Sequence, residues 1–160
     1  MKMNRETVRE IQMTSLSPLI EEILATGGTV ELTVTGNSMY PMLKHRKSQV
    51  RLSSPVRIQI GDIPLYRRAN GAYILHRVVD IGENAYTCCG DHQWHLEKGI
   101  HPEQIVAVVT DFKRGKRWIS CENLRYRFYW RLWVGIRPFR RLLFGGLRRI
   151  KRFCIAVHQK

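Results

Sequence analysis

The sequence lacks the usual marks of an exported or membrane-spanning chain. Its opening residues, MKMNRETVREIQM, contain no apolar run of signal-peptide length. No stretch reaches about 18 uncharged apolar residues, which argues against a transmembrane helix. The four cysteines (Cys88, Cys89, Cys121 and Cys154) do not have the spacing of a disulfide framework. A reducing, cytoplasmic setting is therefore expected.

Acidic residues are missing from the last part of the chain. Residues 124–160 contain 11 Lys or Arg and no Asp or Glu, whereas residues 1–123 carry 16 basic and 13 acidic side chains. The net charge of +14 thus belongs mainly to this segment. A partner that the charge attracts is expected to bind there.

Length and composition fit one folded domain of 160 residues, 44% of them hydrophobic. A helix is predicted to start at Ser17, as the N-cap before Pro18, and to stop at Gly27-Gly28. A preceding helical stretch over 5–13 is also expected.

From residue 29 the apolar period changes to two, which predicts strands. The predicted strands are Val30–Val34, Val56–Ile60, "YILHRVV" paired with "YTCC", and "IVAVV". Short strands separated by turn residues indicate a mainly β, compact antiparallel barrel or sandwich. The expected divisions are an N-terminal helical segment (1–28), a β catalytic domain (29–116) and a basic, aromatic helical tail (117–160). A chain ending near Lys116 is accordingly expected to fold.

Ser38, in "TGNSMYPML", follows the first predicted strand directly. A serine hydroxyl becomes a useful nucleophile only when a neighbouring base takes its proton and amide donors bind the oxyanion. Among the six histidines, His76 is the candidate base, because it is expected inside a strand with Ile74 and Val78 on the same face. A turn serine and a structural histidine are the alternatives.

Three pieces occur in order: "GNSMYPML", "GDIPLYRRANGAYILHRVV" and "YTCCGDHQWHLE". Together they resemble the S26 signal peptidases and their S24 relatives, the self-cleaving repressors of the LexA type. The resemblance covers roughly residues 29–112 and implies a signal-peptidase/LexA-like fold. Because His76 stands where most bacterial signal peptidases have a lysine, it points to the endoplasmic-reticulum-type branch with a serine-histidine pair.

The resemblance implies that Ser38 is the nucleophile and His76 the general base. The acid that orients the imidazole is expected to be Asp91, in the second "GD", with Glu97 as the second candidate. Activity is then expected to rise with pH around the unperturbed histidine pKa of about 6.5. The residues implied in substrate binding are Gly36, Asn37, Met39 and Pro41.

The implied function is cleavage of an extended peptide, as in leader or precursor processing, through an acyl-enzyme and without a cofactor or metal. Two features depart from the family. Gly36 stands where signal peptidases often have a serine whose hydroxyl helps to bind the oxyanion, so the Ser38 amide would act without that hydroxyl, or Thr35 would substitute for it. The usual N-terminal membrane anchor is also missing, which favours a dedicated maturation protease. The alternative is a non-catalytic or regulatory relative that binds peptide or nucleic acid.

Two further partners are suggested by the residues themselves. "CCGDHQWH" contains zinc-ligand types in Cys88, Cys89, His92 and His95, but it has no CxxC pair, and a polar loop is the favoured interpretation. Between Arg137 and Cys154, a helical projection separates arginines from Phe139, Leu143 and Ile150. This favours contact with an anionic membrane surface through residues 124–154. A peripheral position on the inner membrane face is then expected. Nucleic acid and a packed helix with a solvated basic face are the alternatives.

Overall fold

The computed structural model describes residues 13–137 and 139. Over these residues the chain is mainly β, with two α-helices and a short 3-10 helix at Pro102–Gln104. The helices are α1 (Met13–Ala25) and α2 (Leu124–Gly135). The strands are β1 (Val30–Thr33), β2 (Gln49–Ser53), β3 (Pro64–Arg67), β4 (Tyr73–Leu75), β5 (Arg77–Ile81), β6 (Tyr86–Cys89), β7 (Glu97–Ile100), β8 (Ile105–Arg114) and β9 (Arg117–Ser120).

All strand pairs among the described residues are antiparallel and form two sheets. The larger sheet has the order β1-β2-β8-β3-β4, with β9 also paired to β8. Strand β8 is ten residues long, so its first half pairs with β3 and its second half with β9, while β2 occupies its other edge. The smaller sheet has the order β5-β6-β7. The expectation of a mainly β, antiparallel fold with an N-terminal helix is confirmed.

Helix α1 already includes Met13, upstream of the predicted start at Ser17, and Pro18 lies inside it. The apolar spacing explains the earlier start, because Met13 and Leu16 pack on the same core as Ile20 and Leu24. The predicted stop is confirmed. Gly27, with φ of +77°, and Gly28 donate their amides back to the carbonyls of Leu24 and Ile23, a C-terminal cap that favours glycine. Residues 5–12 of the expected upstream helix lie outside the described residues.

The predicted strand over 56–60 is wrong. Val56 is 98% exposed, whereas Ile58 is buried, so the segment runs as a loop. Pro55 has no amide hydrogen for a ladder, and the Asp62 carboxylate accepts the Gln59 amide at 2.8 Å. Local capping at the first "GD" therefore replaces sheet pairing.

The β5–β6 hairpin is confirmed, but His76 does not lie inside a strand as expected. It separates β4, which belongs to the larger sheet, from β5, which belongs to the smaller one. The backbone therefore changes sheets at His76.

The sheet continues beyond the expected boundary at Lys116, because Gly115-Lys116 forms the turn between β8 and β9. Helix α2 then returns to the body, and Tyr126 joins one hydrophobic cluster with α1 and the larger sheet. A chain ending at Lys116 would lose β9 and this part of the core, so we expect it to be less stable than the full chain. Of the predicted basic tail, α2 is helical, and residues 138 and 140–160 lie outside the described residues. Within the described part, no helix is both long and apolar enough to cross a bilayer.

Candidate active site

The apolar neighbours of Ser38 anchor its turn in the hydrophobic core. Met39 and Met42 are 2% and 3% exposed and point into the main core, while Ser38 between Asn37 and Met39 stays half-buried. The turn is closed by the Tyr40 amide, which donates to the Asn37 carbonyl at 3.1 Å. The serine is therefore held at the end of β1 by a turn that is rigid on its inner side.

The same turn packs against the loop that follows β6. The His92 amide donates to the Ser38 carbonyl at 2.7 Å, and the Tyr40 and His92 rings meet edge to face at 5.5 Å. Gly90 permits this approach, because a Cβ there would lie 2.6 Å from the Ser38 carbonyl oxygen. Two of the three sequence pieces, those carrying Ser38 and the second "GD", are thus in direct contact.

His76 lies in a separate, buried network with Tyr66 of β3 and Glu97 of β7. Its side chain is 5% exposed. The Nδ1 atom is 3.2 Å from Tyr66 Oη and 3.6 Å from Glu97 Oε2. Arg68 donates two hydrogen bonds of 2.6 Å to the same carboxylate.

This network selects one imidazole tautomer. Tyr66 Oη donates its proton to Glu97 Oε2 at 2.8 Å, so towards His76 it can only accept. Nδ1 must then carry the hydrogen of the neutral ring, and Nε2 keeps its lone pair. A base with a free Nε2 lone pair is what abstraction of a hydroxyl proton requires.

Burial and charge set the protonation states in this network. Burial lowers the pKa of His76 to about 4, although the Glu97 charge acts in the opposite direction. Hydrogen bonds from Arg68 lower the pKa of Glu97, and burial raises the pKa of Tyr66. At neutral pH the site therefore holds a neutral imidazole beside an ionised carboxylate.

Asp91, the favoured acid in the sequence, is instead bound to Arg77. The guanidinium donates to both carboxylate oxygens at 2.9 and 2.7 Å, and both side chains are almost fully buried. The charge of Asp91 acts on His76 less than the charge of Glu97 does. The structure therefore brings Glu97, the second candidate, to the Nδ1 side of His76.

Arg77 joins the loops around the site. Beyond Asp91, it donates to the Gly61 carbonyl and Tyr126 Oη, each at 2.8 Å, and to Met42 Sδ at 3.0 Å. Five donors on a planar group suit this arrangement better than a lysine would. One buried side chain therefore ties the Ser38 turn, the first "GD" and α2 to the second "GD".

Helix α2 covers the same loops from outside. Trp133 Nε1 donates to the Asp91 carbonyl at 3.1 Å. The Trp130 ring lies over Gly61, whose φ is +100° and where a Cβ would be 2.4 Å from the ring. Both "GD" turns are thus held by tryptophans of the segment that the sequence separated as a tail.

The remaining predicted site residues have plain structural positions. Gly36 adopts φ of +86°, and its amide donates to His45 Nδ1 at 2.8 Å, so this amide is engaged in holding the turn. Asn37 is exposed, and Pro41 is half-buried after a cis Tyr40–Pro41 bond. Their part in substrate binding stays a prediction.

Tyr66, Arg68 and Arg77 were missed as site residues. Arg77 had a signal, because a charged residue in the apolar run "LHRVV" requires a buried partner. Tyr66 and Arg68 had no signal in the sequence, since their contact with Glu97 joins residues about 30 positions apart.

The zinc alternative finds no support in the geometry. The Cys89 thiol lies 3.3 Å from the His95 carbonyl, and burial raises the pKa of Cys88 to about 12. Among residues 13–137 and 139, no group of three or more His, Cys, Asp or Glu could hold a metal ion.

An open cavity of about 460 Å³ lies away from the candidate site. It is lined by the 55–58 loop, Ile81, Tyr86, Pro102 and Ile105, and its lining contains no candidate catalytic residue.

No family model, curated protein or solved structure matches this chain. The likeness to S24 and S26 peptidases therefore rests on the three sequence pieces. A function has to be inferred from those pieces and from the geometry of the site itself.

Proposed function

We propose that the chain is a serine endopeptidase of the S24/S26 type that cleaves an extended peptide, with Ser38 as nucleophile and His76 as general base. The observation that carries the proposal is the His76–Tyr66–Glu97 network. Burial keeps the imidazole neutral, and the network places its hydrogen on Nδ1 and its lone pair on Nε2.

In the proposed reaction, His76 Nε2 takes the proton of Ser38 Oγ while Oγ attacks the scissile carbonyl carbon. The tetrahedral intermediate collapses as Nε2–H returns the proton to the leaving amine, which leaves an acyl-Ser38 ester. Water then hydrolyses the ester, with His76 again as base. The imidazolium formed in each half is stabilised by the Glu97 charge, which reaches Nδ1 directly and through Tyr66.

Glu97, rather than Asp91, takes the orienting role in this proposal. Asp91 is a positioning residue, since its pairing with Arg77 fixes the second "GD" loop against which the Ser38 turn packs. In this proposal Glu97, held by Arg68, orients the base, and Asp91, held by Arg77, positions the loop.

The substrate is proposed to bind as an added strand, with small residues near the cut as the family resemblance implies. Strand β1 is at one end of the larger sheet and runs directly into the Ser38 turn. A peptide on its outer edge would place a carbonyl beside the serine. Leader or precursor processing is the biological setting that this mode of binding suits.

The proposal is tested by incubating the purified full-length chain with a library of extended peptides and identifying products by mass spectrometry. Wild type is expected to cut a subset of sequences at single positions, and Ser38→Ala is expected to leave them intact. Peptide capture by wild type without any cleavage would instead point to the non-catalytic relative.

The pH dependence of kcat/KM should follow the burial of His76. Because the base works only when deprotonated, activity is expected to fall as pH decreases, with a midpoint of about 4 instead of the unperturbed value of about 6.5. A cleaved library peptide, assayed from pH 3.5 to 8 with circular dichroism at each pH, measures this. A midpoint near 6.5 with the fold intact would mean that His76 is solvated, contrary to the structure.

Replacing each acid by its amide should affect a different property of the protein. Glu97→Gln is expected to lower kcat about 10²- to 10⁴-fold, because the carboxylate orients the base. Its loss of stability should be smaller than that of Asp91→Asn, because the Glu97 side chain is 20% exposed and that of Asp91 is 2% exposed. Asp91→Asn is expected chiefly to lower the unfolding free energy, because it weakens a buried pair with Arg77. Thermal unfolding and steady-state kinetics on both variants show which acid orients His76. Asp91→Asn with full stability and a sharply reduced kcat would return the orienting role to Asp91.

A further inference from the structure

Helix α2 has two faces, of which only one is covered by the body. The inward face carries Tyr126, 6% exposed, and the partly buried Trp130 against the main core. The outward face carries Leu124, Phe128 and Leu132, which are 80%, 72% and 57% exposed. Exposed apolar side chains are common singly, but a row of three on one helix is a feature that needs a partner.

These three residues, the outer row, follow each other at intervals of four and so lie along one side of the helix. At 3.6 residues per turn, Arg125 and Arg131 flank the row on its two sides, and both are exposed. Phe139, just after the helix, is 62% exposed. The outward surface is therefore an apolar row between two basic edges.

The charge of the surrounding chain agrees with this arrangement. Residues 124–160 contain 11 Lys or Arg and no acid. The acidic residue next to the helix, Glu122, pairs with Arg127 at 3.3 Å and not with the arginines that flank the row. A surface of this kind complements a partner that is negatively charged at its boundary and apolar beneath it.

We infer that the outer row of α2 docks on an anionic lipid membrane, with the helix lying in the plane of the interface. Apolar side chains enter the boundary region while the flanking arginines meet the headgroups, the arrangement of interfacial amphipathic helices. A nucleic acid would use the arginines but leave the apolar row in water. The inference does not depend on the proposed peptidase activity.

Docking through this face would also fix where the candidate site lies. The inward side of α2 holds both "GD" turns, through Trp130 over Gly61 and Trp133 on the Asp91 carbonyl. One face of α2 would thus meet the bilayer, and the opposite face contacts the loops of the candidate site. The sequence alone placed the apolar contact farther along, at Phe139, Leu143 and Ile150, and of these only Phe139 lies within the described residues.

The test is sedimentation of the full-length chain with vesicles of phosphatidylcholine and phosphatidylserine in equal parts. The variant Leu124→Ser/Phe128→Ser/Leu132→Ser is expected to lower the apparent partition coefficient at least about tenfold with every arginine kept. A matched control, Leu19→Ser/Val56→Ser/Ile81→Ser, removes three exposed apolar side chains elsewhere and should bind like wild type. Arg125→Gln/Arg131→Gln should weaken binding more at low salt than at high salt.

Thermal unfolding of each variant verifies the fold, and the single change Phe128→Ser replaces the triple variant if that one unfolds. Wild-type protein that ignores these vesicles would overturn the inference, as would a triple variant that binds as wild type does. Two further results would overturn the inference. One is a concentration-dependent dimer that the triple variant alone fails to form. The other is tight binding of an oligonucleotide at physiological salt that the triple variant alone loses.

Discussion

Ser38→Ala is expected to abolish peptide cleavage, with kcat/KM falling on the order of 10⁴-fold or more. The variant removes only Oγ from a half-buried side chain, and the turn is fixed by backbone bonds and by Met39 and Met42. Its unfolding free energy should therefore stay close to that of wild type. Cleavage is measured on a peptide selected from the library, and the fold is measured by thermal unfolding.

His76→Ala should lose activity to a similar extent, and the double variant should lose little more. Nucleophile and base act as one unit, so removing either one removes the step that both perform. His101→Ala is the matched control, since this exposed histidine lies outside the proposed site. Full activity in a folded Ser38→Ala protein would rule out the peptidase mechanism, and additive losses would argue against a shared step.

Arg77→Met should be the most destabilising single substitution in the site region. It leaves the Asp91 carboxylate buried without its two charge-assisted bonds and removes the donors to Gly61 and Tyr126. Breaking a buried pair by removing one partner costs about 3–5 kcal/mol, which would lower the unfolding midpoint on the order of 10 °C. Calorimetry or denaturant unfolding measures this loss.

Two comparisons isolate the cause. Arg77→Met/Asp91→Leu, which removes both charges, should be more stable than Arg77→Met alone, because no unpaired carboxylate remains. Arg127→Met, which breaks the exposed pair with Glu122, should cost less than about 1 kcal/mol. A loss at Arg77 no larger than the loss at Arg127 would show that the buried pair does not hold the loops together.

Local patterns predicted those parts of the fold that local chemistry decides. The β5–β6 hairpin follows from alternating residues on both sides of a short turn, and the helix stop follows from the glycine that takes a positive φ at Gly27. The same alternation failed at 56–60, where Pro55 and the Asp62 cap replace strand pairing. The change in composition near Lys116 is real, but it falls at the turn between β8 and β9, so it does not mark the end of the sheet.

The candidate site shows the same limit. Ser38 and His76 were singled out from short motifs, whereas the choice between acids depends on contacts between distant strands. Asp91 was preferred because it directly follows a strand, but its neighbour in space is Arg77. Glu97 reaches His76 because β7 pairs with β6 and brings the carboxylate to Tyr66 and Arg68, a contact that no local pattern encodes.

The most direct test of the central claim is to trap the acyl-enzyme. Wild-type protein is mixed with a cleaved peptide and quenched in acid during the first turnovers, and intact-protein mass spectrometry is followed by peptide mapping. The proposed mechanism predicts a mass increase equal to the acyl part of the substrate, on the peptide that contains Ser38, and none in Ser38→Ala. Cleavage that proceeds in Ser38→Ala, or an adduct that maps to another residue, would contradict it.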